Sequence, residues 1–129
     1  MILLKNFYVD TTKSLDLILI THEVRRVLKE AKSEQGFLVV FVPNPGAALA
    51  VMESDPLLPE VRKALEPFVA NQLLRCFLPK TLTLPIEQSR LSIEPRQEIF
   101  LIDYETAGRR REFRVQIHWE AKEAEEGAA

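Results

Sequence analysis

Gly36-Phe-Leu-Val-Val-Phe-Val-Pro-Asn-Pro-Gly-Ala-Ala-Leu-Ala-Val-Met-Glu53 is the stretch on which the fold turns. Residues 37–42 form an unbroken apolar run of strand length, rich in β-branched and aromatic side chains, as expected of a strand buried on both faces. Pro43-Asn44-Pro45-Gly46 then reads as a turn, because the prolines remove backbone donors and fix φ while glycine accepts positive φ. A second apolar segment, 47–52, ends on the carboxylate of Glu53. The pattern is a core hairpin or a strand–loop–strand, with a polar junction at Asn44 and a charge at its far end.

On the N-terminal side, residues 3–9 and 15–20 read as two strands separated by the polar turn Asp10-Thr-Thr-Lys-Ser14. Thr21 is placed to cap a helix whose first turn carries Glu23, favourable at the positive end of the helix dipole. Val24, Val27, Leu28 and Ala31 recur at helical spacing, and Arg25, Arg26, Lys29, Glu30 and Lys32 fill the other side. Gly36 is expected to end this helix in a left-handed conformation.

On the C-terminal side, Asp55-Pro-Leu-Leu-Pro59 breaks the chain and Pro59 suits a first helical position. Pro67 lacks a donor and clashes with the preceding turn, so two short helices, 59–66 and 67–75, are expected to present Val61, Leu65, Phe68 and Val69 to a sheet. Alternation marks strands at 81–84 and 90–93, and 99–102 is another buried run. Phe113, Val115, Ile117 and Trp119 alternate with Glu112, Arg114, Gln116 and His118 in the last strand, joined to its predecessor as a hairpin by a turn at Thr106-Ala107-Gly108. The order β-β-α-β-β-α-α-β-β-β-β predicts an α+β fold of largely antiparallel, β-sandwich-like sheets with one long and two short helices. A single domain over 1–119 is followed by an acidic tail, 120–129, with no apolar anchor and an expectation of disorder.

A chain of 129 residues is long enough to bury a core without metal or disulfide help. Its 17 basic and 19 acidic residues leave a formal charge of −2, which is no footprint for nucleic acid. No segment approaches a membrane span, and the one cysteine, Cys76, in an apolar setting, excludes an internal disulfide. A cytoplasmic protein with Cys76 as packing is expected. His22 and His118 are the only histidines, so no Cys/His zinc site arises from closely spaced residues, and both read as surface positions. Arg109, Arg110, Arg111 and Arg114 read as a solvated loop or, alternatively, as a grip on phosphate or an acidic partner. Neither a glycine-rich phosphate cradle nor a nucleophile constellation is present, and no catalytic residue, metal ligand or cofactor is assigned.

The order of elements and several strings together resemble the YjbQ family over nearly the whole chain. Ile20-Thr-His-Glu-Val24 is similar to the family's Asp-Ile-Thr-x-x-Val, and Val40-Phe-Val-Pro-Asn-Pro-Gly-Ala-Ala-Leu49 stands where the family has a strand and then His-Thr-Thr-Ala-Ala-Leu. Glu53 matches the glutamate ending the second strand. Leu82-Thr-Leu-Pro-Ile86 with Arg90-Leu91 resembles Leu-Thr-Val-Pro-Val and Gly-Arg-Leu, and residues 110–117 resemble the closing arginine-rich strand. Gln97-Glu-Ile-Phe-Leu101 sits within the family's Gly-Thr-Trp-Gln-Gly-Ile-Phe-Leu segment.

The departures fall on chemistry. Asn44 stands at the first family histidine, Pro45 and Gly46 at the two threonines, Ala64 at an acidic helix position, Gln72 at a second histidine, and Glu94-Pro-Arg-Gln97 at Gly-Thr-Trp-Gln. Amides hydrogen-bond but do not titrate near neutrality, and general acid–base help is typically worth about 10²–10⁴ in rate. The resemblance thus implies a non-catalytic homotrimer, its sheets packed about the threefold axis, that has lost the family's thiamine-phosphate-synthase side activity. The alternative is a binder or weak enzyme for a small polar or phosphorylated ligand, using Asn44, Glu53, Gln72, Arg96 and Gln97, with Glu53 the one plausible base. That alternative expects Asn44, Glu53, Gln72 and Gln97 to converge on one concavity.

Overall fold

The computed structural model describes residues 1–11, 15–53, 58–71, 73–105 and 110–120, and in it the two apolar halves of the opening stretch belong to different sheets. The strands are β1 (Ile2–Asp10), β2 (Asp16–Leu19), β3 (Gly36–Phe41), β4 (Ala47–Glu53), β5 (Thr81–Glu87), β6 (Arg90–Leu91), β7 (Gln97–Asp103) and β8 (Arg110–Trp119). Helix α1 (Thr21–Ala31) precedes β3, while α2 (Leu58–Ala70) and a short 3₁₀ turn (Leu74–Phe77) precede β5. One sheet has the order β1-β8-β3-β5-β6 and the other β2-β7-β4, with every pair antiparallel. This is an α+β fold with two antiparallel sheets face to face.

The topology decides one open alternative and corrects one hairpin expectation. Residues 43–46 carry the chain from one sheet to the other, so β3 and β4 are a strand–loop–strand and not a hairpin. Likewise β7 pairs with β2 and β4, and β8 with β1 and β3, so no hairpin joins them; the turn 106–108 lies outside the described residues, as do Gln72, Arg109 and the tail from 121. The strand expected to be buried on both faces is buried on one. Leu38, Val40 and Val42 are fully inside, whereas Phe37 and Phe41 are 44% and 36% exposed on the outer face. The runs buried on both faces are in the three-stranded sheet. There Leu49, Ile99 and Leu101 meet the inward faces of β3 and β8, and Ala48, Ile102 and Tyr104 face the other way, toward Leu65 and Val69 of α2. Phe113, Val115 and Ile117 of β8 are fully buried, as the alternation predicts, and Phe7 stacks on Phe113 with ring centroids 5.1 Å apart.

The helices depart from expectation at their ends. Thr21 does not cap α1: its hydroxyl accepts the Ile99 N–H at 2.7 Å and so ties the helix to β7, while Ile20 holds the cap position without a side-chain bond. At the other end Lys32 takes the left-handed conformation (φ 55) expected of glycine, its N–H reaching the Leu28 carbonyl. Gly36 serves a different need. A Cβ there would lie 2.1 Å from the His118 carbonyl oxygen, so the glycine permits close approach of β3 to β8. One helix spans the region expected to hold two: Pro67 lies inside α2, which runs on to Ala70, with the Asn71 N–H reaching the Pro67 carbonyl at 2.9 Å. Cys76, expected to pack inside, is exposed on the 3₁₀ turn. Among the described residues no helix is long and apolar enough to cross a membrane.

Leu38 fills the space between the sheets at 0% exposure, whereas Thr83 of β5 sits on the outer face. Leu38→Ala is expected to cost about 2–5 kcal/mol in urea unfolding and Thr83→Ala to stay within about 0.5 kcal/mol.

Candidate functional site

Asn44 lies on the 43–46 crossing, at the end of the two sheets where β1, β3 and β7 all finish. Its Oδ1 accepts the Glu112 N–H at 2.8 Å, and its carbonyl accepts from Lys80 Nζ at 2.8 Å. The same ammonium reaches the Ala47 carbonyl at 3.3 Å, and its pKa is lowered from the ordinary lysine value by desolvation and then by the charge of Arg111. Gly46 holds φ +86, and a Cβ on it would meet the Glu105 side chain at 2.2 Å. The crossing is therefore held by a backbone N–H of β8 and by a side chain from the segment before β5.

Beneath it sits a buried ion pair. Arg111 donates from Nε to Asp103 Oδ2 at 2.9 Å and from Nη2 to Oδ1 at 3.0 Å, and its Nη1 reaches the Pro45 carbonyl at 2.8 Å. The Thr11 hydroxyl donates to Oδ2 at 2.6 Å and the Glu105 N–H to Oδ1 at 3.0 Å. Burial pushes the Asp103 carboxyl up, but the bonds from Arg111, Thr11 and Glu105 outweigh it and hold the group below the usual carboxylate value. Four donors occupy the carboxylate, so it has no free lone pair with which to act as a base. Arg75 stacks over the Tyr104 ring at 4.9 Å, and burial raises the Tyr104 phenol above its ordinary value despite that cation.

The reading of 109–111 as a solvated arginine loop is corrected at Arg111, which is 2% exposed, while Arg110 lies over the Tyr8 ring at 4.5 Å. Its signal was in the alternation: counting back by twos from Ile117, Val115 and Phe113 puts position 111 on the inward face. An inward arginine requires a carboxylate, and Asp103 closes the buried run of β7. Thr11 and Lys80 carried no comparable signal.

The other expected site residues lie elsewhere. Glu53 and Gln97 are register partners at the far end of β4 and β7. Gln97 Oε1 accepts the Glu94 N–H at 2.9 Å, Arg96 beside it is exposed, and so is Glu53. Six strand steps separate Ala47 from Glu53, roughly 20 Å at about 3.3 Å per residue, so a single chain groups Glu53, Arg96 and Gln97 but leaves Asn44 at the opposite end. His22 is exposed, and His118 stacks on Phe37 at 4.7 Å. Among the described residues no three His, Cys, Asp or Glu side chains gather as a metal would require.

No curated protein matches the chain in sequence. In structure it is similar to a YbjQ-like protein of unknown function from Sulfolobus solfataricus P2, with 20% identity, a TM-score of 0.83, and 93% of this chain and 99% of that one covered. A hypothetical protein from Aeropyrum pernix K1 superposes with a TM-score of 0.81 at 22% identity, covering 91% of this chain and 98% of that one. An uncharacterized conserved protein of the yjbq/upf0047 family from Clostridium acetobutylicum gives 0.77 at 18% identity, with 88% and 99% covered. The family described as UPF0047 protein YjbQ-like matches over residues 5–73, more than half of the sequence and including most of β1, β2 to β4, α1, α2 and the 43–46 crossing, so the chain belongs to the YjbQ family.

Proposed function

We propose that this chain is a cytoplasmic, non-catalytic member of the YjbQ family that keeps the family scaffold as a homotrimer. One observation carries the reading: the Asn44 oxygen, at the position where the sequence resemblance puts a histidine, is spent on the Glu112 N–H. With Arg111 and Lys80 bonded to the flanking carbonyls, the crossing is a fixed structural joint with no titrating group of its own. Ala64, in place of an acidic side chain, is exposed on α2 and supplies no proton carrier.

Assembly is supported by the outer face of the five-stranded sheet. The register sets Ile2, His118, Phe37 and Pro85 in one cross-strand row and Leu4, Gln116, Val39 and Thr83 in the next. Ile2, Leu4 and Tyr8 are 62%, 52% and 54% exposed and flank a polar row on β8, a surface suited to burial against other copies. A second reading, a binder of a small polar or phosphorylated ligand, is favoured by the juxtaposition of Arg96 and Gln97 with Glu53. In an assembly such a pocket has to draw Asn44 from one protomer and Glu53, Arg96 and Gln97 from its neighbour.

Sedimentation equilibrium is expected to give about three times the 14.8 kDa chain mass, and Leu4→Asp combined with Phe37→Asp to shift it to a monomer; a wild-type monomer sinks the assembly. In a thiamine-phosphate-synthase assay the purified protein is expected to stay at background, and robust turnover would overturn the non-catalytic reading. The scaffold itself responds to acid. Because the native Asp103 carboxyl titrates below its unfolded value, its stabilisation is complete above the ordinary carboxylate range and is lost as pH falls through the depressed native value. Asp103→Asn is expected to cost about 3–5 kcal/mol at neutral pH and to flatten the acid limb of a stability–pH profile.

A further inference from the structure

Helix α1 carries Arg25 and Lys29 at i and i+4, on one face, and Lys32 follows at its C-terminal cap. Arg90, at the start of β6, lies across from them, and the four line a cleft of about 650 Å³ between the helix and the β5–β6 turn. Glu34 is the one carboxylate in its wall, and among the described residues none of the four cations is engaged in an ion pair. This concentration runs against the formal charge of −2 on the chain. Basic residues at a helix C-terminus can simply complement the dipole, which accounts for Lys29 and Lys32. It does not account for Arg25 in the first half of the helix or for Arg90 on another element.

The wall also contains a hydroxyl with nothing to bond. Ser33 is 1% exposed, and its Oγ is the one buried side-chain polar atom among the described residues without a hydrogen-bond partner. A buried unsatisfied hydroxyl carries a desolvation cost on the order of 1–3 kcal/mol, borne here in the segment that forms the cleft wall. Leu28, Leu91 and Ile93 supply an apolar floor. The walls are held in register by the Ser89 N–H, which donates to the Glu34 carbonyl at 3.0 Å. Lys32 and Ser89 in the wall adopt positive φ (55 and 61), although neither is glycine.

We propose that this cleft binds a phosphate monoester carried on an apolar body. The phosphoryl group sits among Arg25, Lys29, Lys32 and Arg90, and the apolar portion lies on Leu28, Leu91 and Ile93. Four cations suit a dianion with three acceptor oxygens better than a carboxylate, and an arginine fork matches two of those oxygens. The site is separate from the Glu53, Arg96 and Gln97 group and does not depend on the fate of the family chemistry.

The test is an amide-shift titration of the isotope-labelled full chain with phenyl phosphate, inorganic phosphate and phenol. Phenyl phosphate is expected to shift Ser33, Glu34 and residues 89–93 saturably, inorganic phosphate more weakly, and phenol not at all. Lys29→Gln with Arg90→Gln should weaken phenyl phosphate roughly tenfold with an unchanged unfolding temperature. Absence of saturable shifts, or affinity unmoved by the neutralised pair, would overturn the proposal. Shifts centred on Glu53 and Gln97 would do so as well, moving the ligand to the other group. Equal affinity for inorganic phosphate would remove the apolar body from it. The neutralised pair also serves as a folding control, because its circular dichroism is expected to match that of the wild type.

Discussion

The pairing of Asp103 with Arg111 is the constraint on which the arrangement of the two sheets depends. Asp103 ends β7 in one sheet and Arg111 opens β8 in the other, so the ion pair spans the interior where the chain passes between layers. Two further passages meet it: Thr11, just after β1, donates to the carboxylate, and the Pro45 carbonyl of the β3–β4 crossing receives the guanidinium. Burying two charges is expensive, and the expense is offset only where every donor and lone pair has a partner. Here the carboxylate has four donors and each of the three guanidinium nitrogens has one acceptor, which goes most of the way to meeting that condition.

This explains why segments that look like hairpin partners are not. A short turn between two apolar runs permits a hairpin, but it equally permits a step from one layer to the next when polar anchors wait at the step. The 43–46 crossing has such anchors in Glu112, Arg111 and Lys80. Asn44 belongs to that joint, its amide oxygen accepting the Glu112 N–H.

Much of the fold was legible. Alternation located β8 and its inward face, the apolar run 99–102 marked the doubly buried β7, and helical spacing identified the buried side of α1. What could not be read depended on partners distant in sequence. Thr21 looks like a helix cap until the Ile99 N–H claims its hydroxyl, and Gly36 looks like a helix stop until the His118 carbonyl is seen to need its space. For the candidate site, local strings pointed to Asn44 and Glu53 as members of one group. The strand length between them places them at opposite ends, a separation that composition and motif do not encode. The cleft beside α1 was half visible, since the basic face of the helix was apparent, but Arg90 and the bare Ser33 hydroxyl join it only through the fold.

Helix α2 rests on the three-stranded sheet through Leu65 and Val69, yet none of its residues from 59 onward is fully buried. An element so thinly attached has a low free energy of local opening compared with the strands it covers. Its amides therefore exchange with solvent through a sub-global event that leaves the two-sheet interior intact, and each opening bares Leu15, Ala48, Ile102 and Tyr104. The chain thus behaves as two cooperative units of unequal durability, the layered strands outlasting the helical flap laid over them.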